Sequence, residues 1–313
     1  MASDANGRFV VVWQGSQDGS FSSVHAQRFD ASGVREGSEL QVNTYTTGGQ
    51  VNPAVASDAD GNLVVVWTGA GAGDNVGIFG QRYSSSGAPS GGEFRVNSYA
   101  AAGQYWPAVA SDASGAFVVA WQSGMGQDGG GQGVFAQRYD ADAVAQGSEF
   151  SVNTYTTSNQ TFPSVASAAD GRFVVVWGSA GQDGSGYGVF AQRYDASGTE
   201  QGFEFQVNAA ITGDQDRAAV AWDAGGRFVV VWRTKAGAAG YEVLGRQFAA
   251  DGAPFGDDFA VNTYTTGAQV DPAVAIDAAG NFVVAWTTDR DSSGTAVFAR
   301  RFAQDGIFRD GFE

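Results

Sequence analysis

The sequence predicts an all-β fold: a six-bladed β-propeller with four antiparallel strands per blade, on a repeat of roughly 54 residues. Three observations predict it. Six tryptophans (Trp13, Trp67, Trp121, Trp177, Trp232 and Trp286) each close a similar apolar run, at spacings of 54, 54, 56, 55 and 54 residues. A constant period of this size signals stacked or radially arranged supersecondary units. Within each period, four strand-sized runs rich in Val, Phe and Tyr are bounded by Gly, Asp, Ser or Asn, and no stretch carries a helical apolar period of useful length. A β-solenoid is the weaker alternative.

The third repeat displays the four segments: PAVASD from Pro107, FVVAWQ from Phe117, VFAQRYD from Val134 and EFSVN from Glu149. The first alternates small and branched residues, as in Ala54-Val55-Ala56 and Ala273-Val274-Ala275, which suits an innermost strand where blades crowd. The second is apolar at consecutive positions, Phe173 to Trp177 for example, as expected of a strand covered on both faces. The third puts Phe135, Gln137 and Tyr139 on one face and Ala136 and Arg138 on the other, and should lie further out. Ala-Asp-Gly and Ala-Ser-Gly punctuation supplies tight turns between them. A single propeller domain over 1–313 follows, with blades at approximately 1–48, 49–102, 103–158, 159–213, 214–267 and 268–313. The first inner strand retains only Ala2-Ser3-Asp4, matching Ala56-Ser57-Asp58. The last outer strand is Ile307-Phe308-Arg309, followed by Asp310 to Glu313. An incomplete inner strand leaves unpaired backbone groups, so the chain ends are expected to take part in an intermolecular contact.

Only 17 Lys and Arg face 33 Asp and Glu, a formal net charge of −16, which repels nucleic acid and anionic membrane surfaces. Cysteine is absent, excluding disulfides and thiolate metal sites, and no apolar run approaches a membrane span. Met1-Ala2-Ser3-Asp4 runs straight into the first repeat without a signal-peptide pattern.

The order Pro53-Ala54-Val55-Ala56-Ser57-Asp58, then Asp60-Gly61, then Leu63 to Trp67, resembles the repeats of TolB-type and related bacterial propellers. It departs from them in replacing Ser-Pro-Asp-Gly by Ser-Asp-Ala-Asp-Gly. The whole chain also resembles repeat arrays of large secreted or surface-exposed bacterial proteins, and its closing residues resemble short tails of some gammaproteobacterial exported proteins. The resemblance implies a bacterial, extracellular or cell-surface location.

Residues able to do chemistry are repeated rather than clustered. His25 is the one histidine and stands where other repeats have Phe79, Phe135, Phe190 and Phe298, which reads as structural. With no second histidine and no cysteine, triads and zinc sites of the usual kinds are not expected. Asp58, Asp112 and Asp277 are explained as turn residues. The Gln-Arg pairs (Gln27-Arg28, Gln81-Arg82, Gln137-Arg138 and Gln192-Arg193, with Arg246-Gln247 and Arg300-Arg301 as variants) could form a ring of anion receptors. The plainer reading is arginines that bridge blades. The six tryptophans read as inter-blade core rather than sugar platforms.

One rim is distinctive. The loop between second and third strands carries Asp18, Asp128 and Asp183, and the blade-to-blade connector carries Tyr45, Tyr99, Tyr155 and Tyr264, so both sets should emerge at the same end. Asp, Asn, Thr and Tyr side by side suit a hydroxyl-rich ligand or weak Ca²⁺ binding through oxygen ligands; no other cofactor is expected. The fifth repeat has drifted most, with Arg217 read as replacing the leading proline, Trp222 replacing Ser and a hairpin from Thr234 to Gly237 that lacks Asp. If a unique site exists, it belongs there.

The function expected on this basis is a non-catalytic extracellular or cell-surface interaction module, not an enzyme, binding glycan or protein through repeated weak sites. The alternative is a self-assembling subunit of a surface layer or filament, whose partners are copies of itself. A propeller hydrolase or lyase ranks third.

Overall fold

The computed structural model describes residues 1–16, 21–71, 73–235, 240–291 and 294–303, and among these every regular element is a strand. Six antiparallel sheets follow one another along the chain, one per repeat, as the blades of a six-bladed β-propeller. Five have four strands paired in chain order. The sixth shows three among the described residues: Gln269–Ile276, Phe282–Asp291 and Gly294–Phe302. The expected outer strand at 307–309, the tail to Glu313 and the loop carrying Asp18 lie outside the described residues.

The chain divides into two compact units, Met1–Val152 with Ala169–Gly171, and Asn153–Ala168 with Arg172–Glu313. In the first, blade two consists of Gln50–Ser57, Leu63–Gly71, Asp74–Tyr83 and Phe94–Arg95. Asp58 sets its first hairpin. Its Oδ1 accepts the N–H groups of Asp60 and Asn62 at 3.0 and 2.8 Å, and Gly61 takes a φ of +84°, which a side chain would resist. Asp112 and Asp277 act in the same way. The turn reading of these aspartates therefore holds.

The second strand of each central blade is apolar on both faces because it is covered on both. Phe117–Ser123 is buried throughout, and Trp67, Trp121, Trp177 and Trp232 are sealed from solvent. Within the first unit, Trp121 joins a core with Val64, Val66 and Ile78 of the preceding blade; within the second, Trp232 packs with Val174, Val176 and Val189. These tryptophans are core, as expected. A buried indole N–H still needs an acceptor. Gln50, Gln104 and Gln269, which open their inner strands, supply it to Trp67, Trp121 and Trp286 at 2.9, 2.8 and 3.0 Å.

The third strand lies further out, as expected, yet Gly133–Tyr139 is buried at every position except Arg138. The preceding blade shields one face, where Phe135 and Tyr139 pack with Val64, Val66 and Ile78, and the strand's glutamine is fixed internally. Gln137 Nε2 donates to the carbonyls of Arg138 and Gly147 at 2.9 and 3.2 Å, and Gln81 and Gln192 repeat the arrangement. The arginines reach the neighbouring blade: Arg28 Nη2 donates to Ser85 O at 2.7 Å, and Arg193 Nη1 to Ala250 O at 2.9 Å. Bridging, not an anion-receptor ring, is their role there.

Each connector is pinned by a buried asparagine. Asn43 Oδ1 accepts the N–H of Val24 at 2.7 Å, and its Nδ2 donates to Tyr45 O at 3.1 Å; Asn97 and Asn262 do the same for Ile78 and Val243. The side chain thus stands in for a missing ladder partner where the outer strand ends.

Candidate functional site

A feature with no sequence signature recurs at the start of the inner strands. Pairing with the second strand slips in blades two to six, and at the slip one residue takes left-handed φ: Asn52 (55°), Trp106 (54°), Phe162 (53°), Arg217 (52°) and Asp271 (50°). Such bulges re-aim a side chain, and a left-handed conformation in residues as bulky as Trp, Phe and Arg costs energy that the surrounding sheet must hold in place. The register also corrects the alignment of the fifth repeat: Ala219 pairs with Val231 as Ala54 pairs with Val66, so Ala218, not Arg217, occupies the proline position.

In the second unit, three of these side chains form a row. The Arg217 guanidinium lies 3.8 Å from the Phe162 ring centroid, and its Nη1 is 3.8 Å from Asp271 Oδ1. The Asp271 side chain is 58% exposed. Immediately before Arg217, buried Asp216 receives two hydrogen bonds from Arg233, from Nε at 2.5 Å and Nη2 at 3.0 Å, and Arg233 also covers the Tyr241 ring at 4.5 Å. The hydrogen bond to Asp216 raises the Arg233 pKa above its ordinary value, and the charge of Asp271 adds to this, so both carboxylates act on one guanidinium. This arrangement provides an aromatic face, two fixed cations and two carboxylates, one of them open to solvent. The sequence flagged the fifth repeat as the odd sector; it missed Asp216, Asp271 and Phe162, which no turn or ligand pattern marks.

The rim residues expected to bind ligand are placed as follows. Tyr45 is exposed, while Tyr99, Tyr155 and Tyr264 are half-buried, and each of the four gives its carbonyl to the connector asparagine. Asp128 and Asp183 are half-buried, each accepting a backbone N–H of its own turn at 3.0 Å, and Asp18 lies outside the described residues. Connector and hairpin do meet. Glu149 accepts Ser98 N at 2.5 Å and Gln127 Nε2 at 2.7 Å, and Glu204 clasps Thr154 and Gln182 alike. Those glutamates, unnoticed in the sequence, explain why the two loops share one rim. Among the described residues, no group of three or more His, Asp or Glu side chains is arranged to hold a metal ion.

The histidine is buried, in keeping with its structural reading, although its partners were not anticipated. His25 Nε2 lies 2.8 Å from Ser23 Oγ, and Nδ1 3.3 Å from Glu39 Oε1, which is the connectivity of a Ser–His–acid triad. Ser23 is fully buried, however, and its hydroxyl donates to Gly15 O at 3.1 Å, so it offers no accessible nucleophile.

No protein-family model matches the sequence, and no curated protein matches it. Solved structures do. An α-L-arabinanase of Penicillium chrysogenum, complexed with arabinobiose, superposes with a TM-score of 0.67 at 12% identity, covering 98% of this chain and 92% of that one. The GH93 α-L-arabinofuranosidase of Fusarium graminearum, also with arabinobiose, gives 0.66 at 12% identity over 97% and 92%. A protein of unknown function from Dyadobacter fermentans gives 0.64 at 12% identity over 95% and 91%. At these identities the likeness is one of fold, to glycoside-hydrolase propellers rather than the TolB type. It overturns the expectation of a non-catalytic module and of a protein that is not an enzyme. It equally removes the support for a self-assembling subunit and for partners that are proteins or copies of itself. The count of histidine and cysteine does not bear on hydrolases of this kind, because glycoside hydrolysis needs only two carboxylates.

Proposed function

We propose that the protein is a glycoside hydrolase acting on an arabinose-containing oligosaccharide. The observation that carries this reading is the row on the left-handed bulges, Phe162, Arg217 and Asp271, with Asp216 fixed behind it by Arg233. Each member has a role that its chemistry suits. The Phe162 ring offers an apolar face to sugar C–H groups, and Arg217 donates to hydroxyls. Asp271, exposed, protonates the glycosidic oxygen as the bond to the anomeric carbon breaks. Asp216 presents negative charge to the cationic anomeric centre and takes the proton of the water that adds there. Arg233 keeps Asp216 oriented. The matched enzymes that bind arabinobiose support the choice of sugar. A saccharide substrate of this kind fits an extracellular or cell-surface station.

Release of arabinose from arabinobiose and from a chromogenic α-L-arabinofuranoside tests the reading. Asp271→Asn and Asp216→Asn should each lower kcat by about 10²- to 10⁴-fold, the usual contribution of an acid–base group. No turnover by the parent protein, or full turnover by Asp271→Asn, refutes it.

A further inference from the structure

A cleft in the first unit has no part in the proposed catalytic row. An open cleft of about 520 Å³ is lined by Tyr45 of one connector, Asp74 and Asn75 of the blade-two hairpin, and Ala101, Gly103 and Tyr105 of the next connector and strand. Tyr45 and Tyr105 are 40% and 37% exposed, where large aromatics are otherwise mostly buried. Tyr105 is held in place by what is missing beside it: a Cβ on Gly103 would overlap its phenol. Likewise a Cβ on Gly71 would overlap the Phe79 ring, so the floor is small by necessity. The inner-strand position of Tyr105 carries Val51, Thr161, Asp216 and Val270 in the other repeats, so its aromatic ring is peculiar to this blade.

We propose that this cleft between Tyr45 and Tyr105 binds a neutral oligosaccharide. Two exposed tyrosines beside the polar Asp74 and Asn75 suit a ligand that alternates C–H faces and hydroxyls. An anionic ligand is opposed by Asp74 and by the net charge of −16. A cation finds no free carboxylate, because Asp74 is buried and its oxygens already accept Val76 N–H at 3.1 Å and Asn97 Nδ2 at 2.9 Å.

Only the choice of sugar rests on the hydrolase reading, so binding and turnover are measured separately. Full-length Asp271→Asn protein, which should not consume the ligand, is titrated with arabinobiose and longer arabino-oligosaccharides by calorimetry and saturation-transfer NMR. Tyr45→Ala and Tyr105→Ala, added to it singly, should weaken binding of the longer chains about three- to tenfold, the loss expected of one aromatic contact. Tyr45 is exposed and its replacement should leave the thermal midpoint unmoved, which keeps the test valid should Tyr105→Ala fold poorly. Unchanged affinity in the Tyr45 variant overturns the proposal, as does displacement of the sugar by choline. If the parent shows no turnover yet Tyr45→Ala weakens saccharide binding, the cleft assignment stands and the hydrolase reading falls.

Discussion

Asn52, Trp106, Phe162, Arg217 and Asp271 share one backbone conformation but no one side-chain chemistry. Left-handed φ costs a non-glycine residue about 1–2 kcal/mol, and five different side chains accept it at one position of the blade. The strain therefore belongs to the bulge and the side chain to its use. Asp271→Gly separates the two. Stability in denaturant titration should stay level or rise by up to about 1 kcal/mol, while turnover disappears. A loss above about 1 kcal/mol would mean that Asp271 is structural. Trp121→Ala should behave oppositely, costing about 3–5 kcal/mol, because the indole is fully enclosed and its removal also orphans Gln104. The tryptophans were legible in sequence because an aromatic at constant spacing has one economical explanation. The bulge was illegible because no Gly or Asn marks it consistently, and because proline follows it in four blades, as after Asn52 and Asp271, where an extended residue would be read.

Strand order and the first hairpins were legible from period and turn residues, whereas burial of the third strand was not, since alternation cannot report a neighbouring blade. Tyrosines at the end of that strand show how blades are stitched. Tyr83 Oη donates to Val42 O at 3.4 Å and Tyr139 Oη to Val96 O at 3.2 Å, each crossing to the preceding blade. Burial, helped by the charge of Glu93, pushes the Tyr83 pKa up to about 12, and burial with Glu149 raises Tyr139 as well. A folded pKa above the ordinary value near 10 means that the unfolded chain loses its proton first. The stabilisation is complete below pH 10 and is lost as pH rises toward about 12. Thermal midpoints should accordingly fall through that window. Tyr139→Phe should cost about 1 kcal/mol at neutral pH and flatten the alkaline fall; an unaltered slope would exclude Tyr139 as a contributor.

With a net charge of −16, the chain repels itself, and salt should relieve this. Raising NaCl from about 10 to 200 mM, over which the screening length falls to below 10 Å, should raise the thermal midpoint; a fall would indicate that attractive pairs such as Asp216–Arg233 dominate. At this scale the fold was legible and the proposed site was not. Repetition specifies blades, whereas a catalytic row consists of the positions where repetition fails, and a lone sequence cannot tell such a failure from drift. The pinned connectors carry a further consequence. From Asn43 to Gln50, Asn97 to Gln104, Asn153 to Gln160, Asn208 to Gln215 and Asn262 to Gln269 the separation is always seven, while the six residues between run from TYTTGG to AAITGD. Both anchors are buried and serve the sheet, and in two blades they bond each other, Asn153 to Gln160 at 3.3 Å and Asn208 to Gln215 at 3.1 Å. The stretch between them is therefore an exchangeable cassette of fixed length, onto which recognition sequences can be grafted blade by blade without disturbing strand registry.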